Sequence, residues 1–222
     1  MDPEPGGDHE ADADPQSTYD RIAAHFSKTR EYAWPEVESF LDGRTAARAL
    51  DLGCGNGRHA ELLAERADAV VGVDLSRGLL REAVARARDR TYDGTASFVH
   101  GDAAALPIAA DAVGLAVYVA TVHHLPSREA RVRSLDELAR VLAPSGTALV
   151  SAWSTAHDRF DREEGFDTTV DWTLPGGETV PRYYHIYSPA EFEADIAKSA
   201  LETADADVSS GNCYATVTVP PP

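Results

Sequence analysis

The first regular alternation of apolar and polar positions lies in "STYDRIAAHFSKTR" (residues 17–30), where Tyr19, Ile22, Ala23 and Phe26 recur at helical spacing. Residues 1–16, in contrast, combine Asp, Glu, Gly and Pro with almost no apolar side chains. They cannot offset the entropy of ordering, which predicts a disordered acidic tail followed by one domain over 17–222. "WPEVESFLDG" reads as a second short helix, with Pro35 near its start and Gly43 past its end. From there the pattern alternates between short apolar runs and amphipathic ones: strand about 47–52, helix 58–66, strand 69–74, helix 77–90, strands 96–100 and 112–119, helix 127–142, strand 146–153. Such alternation predicts an α/β fold, a Rossmann-like and mostly parallel sheet with helices on both faces.

After Trp153 the pattern breaks. Residues 155–187, rich in Asp, Gly, Tyr and Arg, show no clear periodicity and are too long for a simple connection, so they read as a lid or substrate loop. "SPAEFEADIAKSAL" restores order with Ser188 as N-cap, Pro189 at the first helical position and Glu191 completing a capping box. "ETADADVSS" and "NCYATVTVP" would then pair as a hairpin at one sheet edge, bringing a C-terminal antiparallel strand to a seven-stranded sheet.

Composition narrows the classes. With 222 residues and 43% hydrophobic content the chain can bury one full core. The longest apolar run, Ala112 to Val122, is too short for a bilayer, and the acidic N-terminus lacks a signal-peptide pattern, so a soluble cytoplasmic protein is expected. Cys54 and Cys213 have no partner spacing for zinc or a disulfide framework. Acidic residues outnumber basic ones 37 to 20, and Lys28 and Lys198 are the only lysines. An Asp-rich, Lys-poor chain fits a halophilic cytoplasm where salt screens self-repulsion; an acidic protein of ordinary habitat is the plainer alternative. The same charge argues against generic DNA or RNA binding, which needs a local basic patch.

The chemistry starts at "LDLGCGNGRHAELL" (residues 50–63). Gly53, Gly55 and Gly57, with Cys54 and Asn56 between them, join a strand to a helix, where the backbone turns tightly and helix N–H groups face a ligand. The spacing is GxGxG rather than the dinucleotide GxGxxG, and Asp51 just before it would compete with a pyrophosphate. Asp51 suits an amino-acid ammonium instead, directly or through water. Asp74 ends the second strand where a ribose hydroxyl acceptor is expected, and Asp102 after the third strand can accept from an adenine amine. Leu75, Ala103 and Val119 flank these strand ends. Each residue alone has a duller use as a cap or turn, but together they describe S-adenosylmethionine. The combination resembles the class I S-adenosylmethionine-dependent methyltransferase fold over roughly residues 47–154.

The acceptor must be read from the flanks. "ATVHHLPS" places His123 and His124 after the fourth strand, where a base, a clamp or a plain loop residue would all fit. "YDRIAAHFSKTREYAWPEV" (19–37) and "RYYHIYSPAEFE" (182–193), with "VHHL" and "SAWS", resemble the tRNA wobble-uridine methyltransferases that esterify 5-carboxymethyluridine. By that resemblance Arg30, His123 or His124, and Arg182 surround the acceptor nucleoside of a tRNA anticodon stem-loop. It also implies a small zinc-binding activator subunit, for which the apolar "ADAVVGVDLS" segment near a sheet edge is a consistent feature. The long acidic tail, short C-terminus and low positive charge depart from the family pattern. A small-molecule methyltransferase acting on a quinone, phenol or organic acid, a non-catalytic S-adenosylmethionine-binding subunit, and a nicotinamide dehydrogenase are the competing readings.

Overall fold

The structure, a computed structural model, describes residues 14–220. The chain runs α1 (Pro15–Lys28), α2 (Pro35–Leu41), β1 (Ala46–Leu52), α3 (Arg58–Ala64), β2 (Ala67–Asp74), α4 (Arg77–Asp89), β3 (Ala96–His100), β4 (Val113–Val119), α5 (Arg128–Val141) and β5 (Leu142–Trp153). It continues with β6 (Phe166–Thr173), β7 (Thr179–Ile186), α6 (Pro189–Lys198), β8 (Glu202–Ser209) and β9 (Asn212–Thr218). Seven strands form one sheet in the order β3-β2-β1-β4-β5-β9-β8. The first five are parallel, and β9 runs antiparallel between β5 and β8. This is the expected Rossmann-like architecture with its C-terminal hairpin at one edge.

Each face of the sheet carries its own core. Leu135 and Leu138 of α5 and Phe192 and Ile196 of α6 cover one side. Val37 and Phe40 of α2, Ala60 and Leu63 of α3 and Ala87 of α4 cover the other. Strand order reverses between β1 and β4, so the loops after these strands diverge and leave a crevice at their carboxyl ends.

Two expectations need correction. The first helix begins at Pro15 rather than Ser17, because Asp14 caps α1 by accepting from the Gln16 and Ser17 amides and Pro15 presets the first helical φ; the rest of the expected acidic tail, residues 1–13, lies outside the described residues. The 155–187 segment is not an irregular loop: β6 and β7 pair as an antiparallel hairpin, closed by a turn through Gly176 and Gly177 and separate from the main sheet. The apolar "ADAVVGVDLS" segment does lie near a sheet edge, one strand in, because β2 pairs with β1 on one side and with the edge strand β3 on the other.

Candidate active site

The crevice opens into a cavity of about 790 Å³ lined by the loops after β1, β2, β3 and β4, by α1, and by the β6–β7 hairpin. At one end lies the glycine loop. Gly53 has φ +70°, and a Cβ there would overlap the Thr121 side chain, so glycine alone lets the loop lie under the post-β4 segment. Gly55 has φ +53° and open space where its Cβ would be, which leaves room for a ligand against bare backbone. Asp74 fixes this loop: one carboxylate oxygen accepts from the Gly55 amide at 2.8 Å and the other from the Ser76 amide at 2.8 Å. Burial pushes the Asp74 pKa up while those two amides oppose the shift. Lone pairs remain for ribose hydroxyls. Asp102, exposed on the wall, accepts from the Ala104 amide at 2.8 Å.

At the other end stand the histidines and arginines. His123 and His124 form a single 3-10 turn after β4. His123 Nδ1 accepts from the Trp153 amide at 2.9 Å, so its Nε2 carries the hydrogen. His124 Nδ1 lies 2.9 Å from the Tyr183 carbonyl and must donate to it, which leaves Nε2 to accept from the Tyr19 hydroxyl at 2.9 Å. Burial holds both imidazoles neutral: His123 falls well below the usual range and His124 to about 4. Arg182, only 7% exposed, donates to the Tyr184 hydroxyl at 2.6 Å while its Nε has no partner. Both the Arg182 and Arg30 guanidinium groups approach the Trp172 ring, 4.9 and 5.6 Å from its centre. Tyr184 links the two sets, its ring centre 5.1 Å from that of His123 and 4.4 Å from that of His124.

A methyltransferase domain model matches residues 49–146, which span the glycine loop and strands β1 to β4. A protein of Encephalitozoon cuniculi named as a methyltransferase is 33% identical over 177 residues, 76% of this chain and 78% of that protein. The chain belongs to the S-adenosylmethionine-dependent methyltransferases. The tRNA (carboxymethyluridine(34)-5-O)-methyltransferase of Saccharomyces cerevisiae is 33% identical over 74% of the chain and 58% of its own length. The corresponding mouse enzyme is 34% identical over 61% of the chain, which spans only 19% of that relative. Among solved structures the CcbJ methyltransferase from Streptomyces caelestis superposes with a TM-score of 0.75 at 20% identity, covering 93% of this chain and 99% of that one. A Haloferax volcanii methyltransferase in complex with the Trm112 activator gives 0.68 at 17% identity, covering 91% and 97%. Both likenesses concern the fold.

S-adenosylmethionine is the cofactor of this methyltransferase. Its residues fit that ligand: a bare-backbone loop at Gly55, acceptors at Asp74 and Asp102, and the apolar flanks Leu75, Ala103 and Val119 share one wall with Cys54 and Asn56. Two residues of the sequence-derived set stand elsewhere. Asp51 is 1% exposed and sits behind the loop rather than on the cavity wall; burial, the largest cause, pushes its pKa up to about 7, and its Oδ2 is unpartnered. Gly57 forms the N-cap of α3, also off the wall.

The cavity of the methyltransferase is lined by two carboxylates, Asp74 and Asp102, and by five arginines, Arg30, Arg58, Arg133, Arg159 and Arg182. Among the described residues none of these five pairs with a carboxylate, although the protein carries a formal charge of -17. Sequence reading missed Tyr19, Thr121 and Asp20 as site-building residues. Tyr19 reads as one more apolar position on α1. Asp20, beside it, accepts from the Gly78 amide at 2.6 Å and the Ser76 hydroxyl at 2.7 Å, tying α1 to the start of α4.

Proposed function

We propose that this methyltransferase esterifies the carboxylate of 5-carboxymethyluridine, or a closely related wobble uridine, in the anticodon stem-loop of tRNA. One observation carries the reading: Arg182 is a buried guanidinium with an unpartnered Nε and no carboxylate of its own, on the cavity wall beside His123. A buried cation in that state is matched by an anionic ligand, and an arginine fork holds a carboxylate in bidentate fashion. The names of the yeast and mouse relatives support the substrate class.

S-adenosylmethionine supplies an electrophilic methyl on a sulfonium. Gly53 to Asn56, Asp74 and Asp102 would hold it at the cofactor end, with the Asp51 carboxyl behind the loop. At the acceptor end, Arg182 and Arg30 clamp the carboxylate and the neutral His123 donates from Nε2. The cofactor would supply its methyl to one carboxylate oxygen so held, the electron pair of the methyl–sulfur bond being left on sulfur. The carboxylate is already ionised at neutral pH, so no proton leaves and no general base is needed. Alignment supplies the acceleration; well-oriented intramolecular reactions gain about 7–11 kcal/mol in this way.

Incubation with methyl-labelled S-adenosylmethionine and bulk tRNA at high salt tests the reading, with and without an activator of the Trm112 kind seen beside the Haloferax structure. Label on tRNA that mild base releases is the expected result. Base-stable label would move the methyl to another atom, and label on small acids alone would replace tRNA as the substrate.

A further inference from the structure

The two adjacent histidines of the site are held in opposite tautomers. His123 keeps its hydrogen on Nε2, which meets no acceptor among the described residues, and its side chain lines the cavity. His124 has neither nitrogen to spare: Nδ1 donates to the Tyr183 carbonyl at 2.9 Å and Nε2 accepts from the Tyr19 hydroxyl at 2.9 Å. A neutral imidazole offers one donor and one acceptor, and in His124 both are used within the protein. His124 therefore has no nitrogen left for an acceptor molecule.

The carbonyl that His124 grips lies between two cavity residues. Tyr183 stands in β7 between Arg182 and Tyr184, which both line the cavity. Its own side chain turns elsewhere, the hydroxyl donating to Asp167 at 2.8 Å. The β6–β7 hairpin is a sheet of its own, and its ladder contact with the main sheet comes past the end of β7, where the Tyr187 amide donates to the Trp153 carbonyl at 3.0 Å. Beside Arg182 itself, the bond from His124 is what joins β7 to the turn after β4. The other end of this connection is anchored as well. Tyr19 belongs to α1, and the neighbouring Asp20 accepts from the Gly78 amide at 2.6 Å and the Ser76 hydroxyl at 2.7 Å, just after the cofactor-side Asp74. The Tyr19 ring packs edge-on against Phe26, 5.6 Å between centres, a contact that does not involve the hydroxyl.

We propose that Tyr19 and His124 are a positioning pair: hydroxyl, imidazole and Tyr183 carbonyl form one connection that sets where β7 lies and so aims the Arg182 guanidinium, while His123 is the histidine that touches the acceptor. The proposal rests on reading Arg182 as the group that holds the acceptor anion.

Three variants of the full chain test it. Tyr19→Phe removes only the hydroxyl, His124→Asn keeps a donor near the Nδ1 position, and His124→Ala removes both bonds. One readout is single-turnover transfer of labelled methyl to bulk tRNA beside S-adenosylmethionine affinity. The other, which needs no acceptor, is hydrogen exchange of the Arg182 Nε–H by NMR in protein saturated with S-adenosylhomocysteine. Tyr19→Phe should lower transfer about tenfold, the worth of one hydrogen bond, with cofactor affinity kept within about twofold. His124→Ala should lose more and His124→Asn should recover part of that loss. Adding Tyr19→Phe to His124→Ala should cost nothing further, because the connection is already broken. The Arg182 Nε–H should exchange at least tenfold faster in Tyr19→Phe and in His124→Ala, while the backbone amides of β1 and β4 keep their wild-type rates. Additive losses, no recovery in His124→Asn, or exchange that quickens alike throughout the sheet overturns the pair. Base-stable label in wild type counts against the ester reading and leaves both readouts of the pair in force; with no label on tRNA at all, that reading fails and the Arg182 exchange rates decide the pair.

Discussion

Asn56 of the glycine loop donates its side-chain amide to the Arg30 carbonyl at 3.0 Å and to the Ser27 carbonyl at 3.3 Å. One buried side chain therefore ties the cofactor loop to the end of α1, which carries the acceptor-side arginine. Asn56→Ala should leave the Arg30 carbonyl without this donor, at about 1–3 kcal/mol for a buried unsatisfied group, while the Ser27 carbonyl keeps the Arg30 amide at 3.1 Å. The expected outcome is a Tm lower by a few degrees and a larger fall in methyl transfer than in S-adenosylmethionine affinity, read by thermal denaturation, titration and single-turnover kinetics. Equal losses in affinity and transfer would separate Asn56 from Arg30.

The two glycines of the loop should fail differently. Gly53→Ala meets the Thr121 side chain and a left-handed φ, so it should destabilise the fold by about 1–3 kcal/mol. Gly55→Ala meets no atom within 4 Å and bears only backbone strain, yet its methyl enters the cavity. It should lose only about 1–2 kcal/mol to that strain, while cofactor affinity drops at least tenfold. Thermal melts with and without S-adenosylhomocysteine distinguish the two.

Methyl transfer should not depend on histidine titration. Burial lowers His123 and His124 below their ordinary range, His124 to about 4, so both stay neutral across the neutral range. The single-turnover rate is expected to be flat from pH 6 to 9; a rate rising with pH would indicate an acceptor that must first lose a proton. For stability the sign follows from the same depression. The folded state binds fewer protons than the unfolded one between about pH 4 and the ordinary histidine value of about 6.5, so stability is full above that value and is lost as pH falls through 4.

Asp51 behaves oppositely. Its pKa, raised to about 7 by burial, means that the folded state holds a proton that the unfolded state has released, so this group favours folding below the ordinary aspartate range and loses that contribution as pH rises through 7. An ammonium brought near the loop favours the ionised form. Cofactor affinity should therefore tighten between pH 6 and 8 with proton release, measurable by calorimetry in buffers of different ionisation enthalpy. Asp51→Asn should flatten that dependence, and an unchanged pH profile would remove Asp51 from the cofactor's electrostatics.

The parallel core was readable because β1, β2 and β3 are short apolar runs that end at, or just before, a glycine or aspartate, and the cofactor end sits at those endings. The hairpin was not. In β7 the buried alternation is Val180, Arg182, Tyr184 and Ile186, and in β6 the half-buried positions are Phe166, Thr168, Val170 and Trp172. Period 2 is present, but Arg182 and Thr168 hold inward positions because that face includes the cavity wall, and a polar residue there hides the strand from a hydrophobicity pattern. Tyr19 was hidden for the converse reason. It looks like one more apolar residue of α1, whereas its hydroxyl donates to His124.

The central claim is that a buried, carboxylate-free Arg182 holds an anionic acceptor. Replacing it with Ala, and separately with Lys, and measuring single-turnover transfer to tRNA beside S-adenosylmethionine affinity, tests this most directly. The account predicts cofactor affinity within twofold of wild type, transfer reduced at least a hundredfold in Arg182→Ala, and partial recovery in Arg182→Lys through the restored charge. Transfer at wild-type rate in Arg182→Ala, or a loss that follows cofactor affinity step for step, would contradict it.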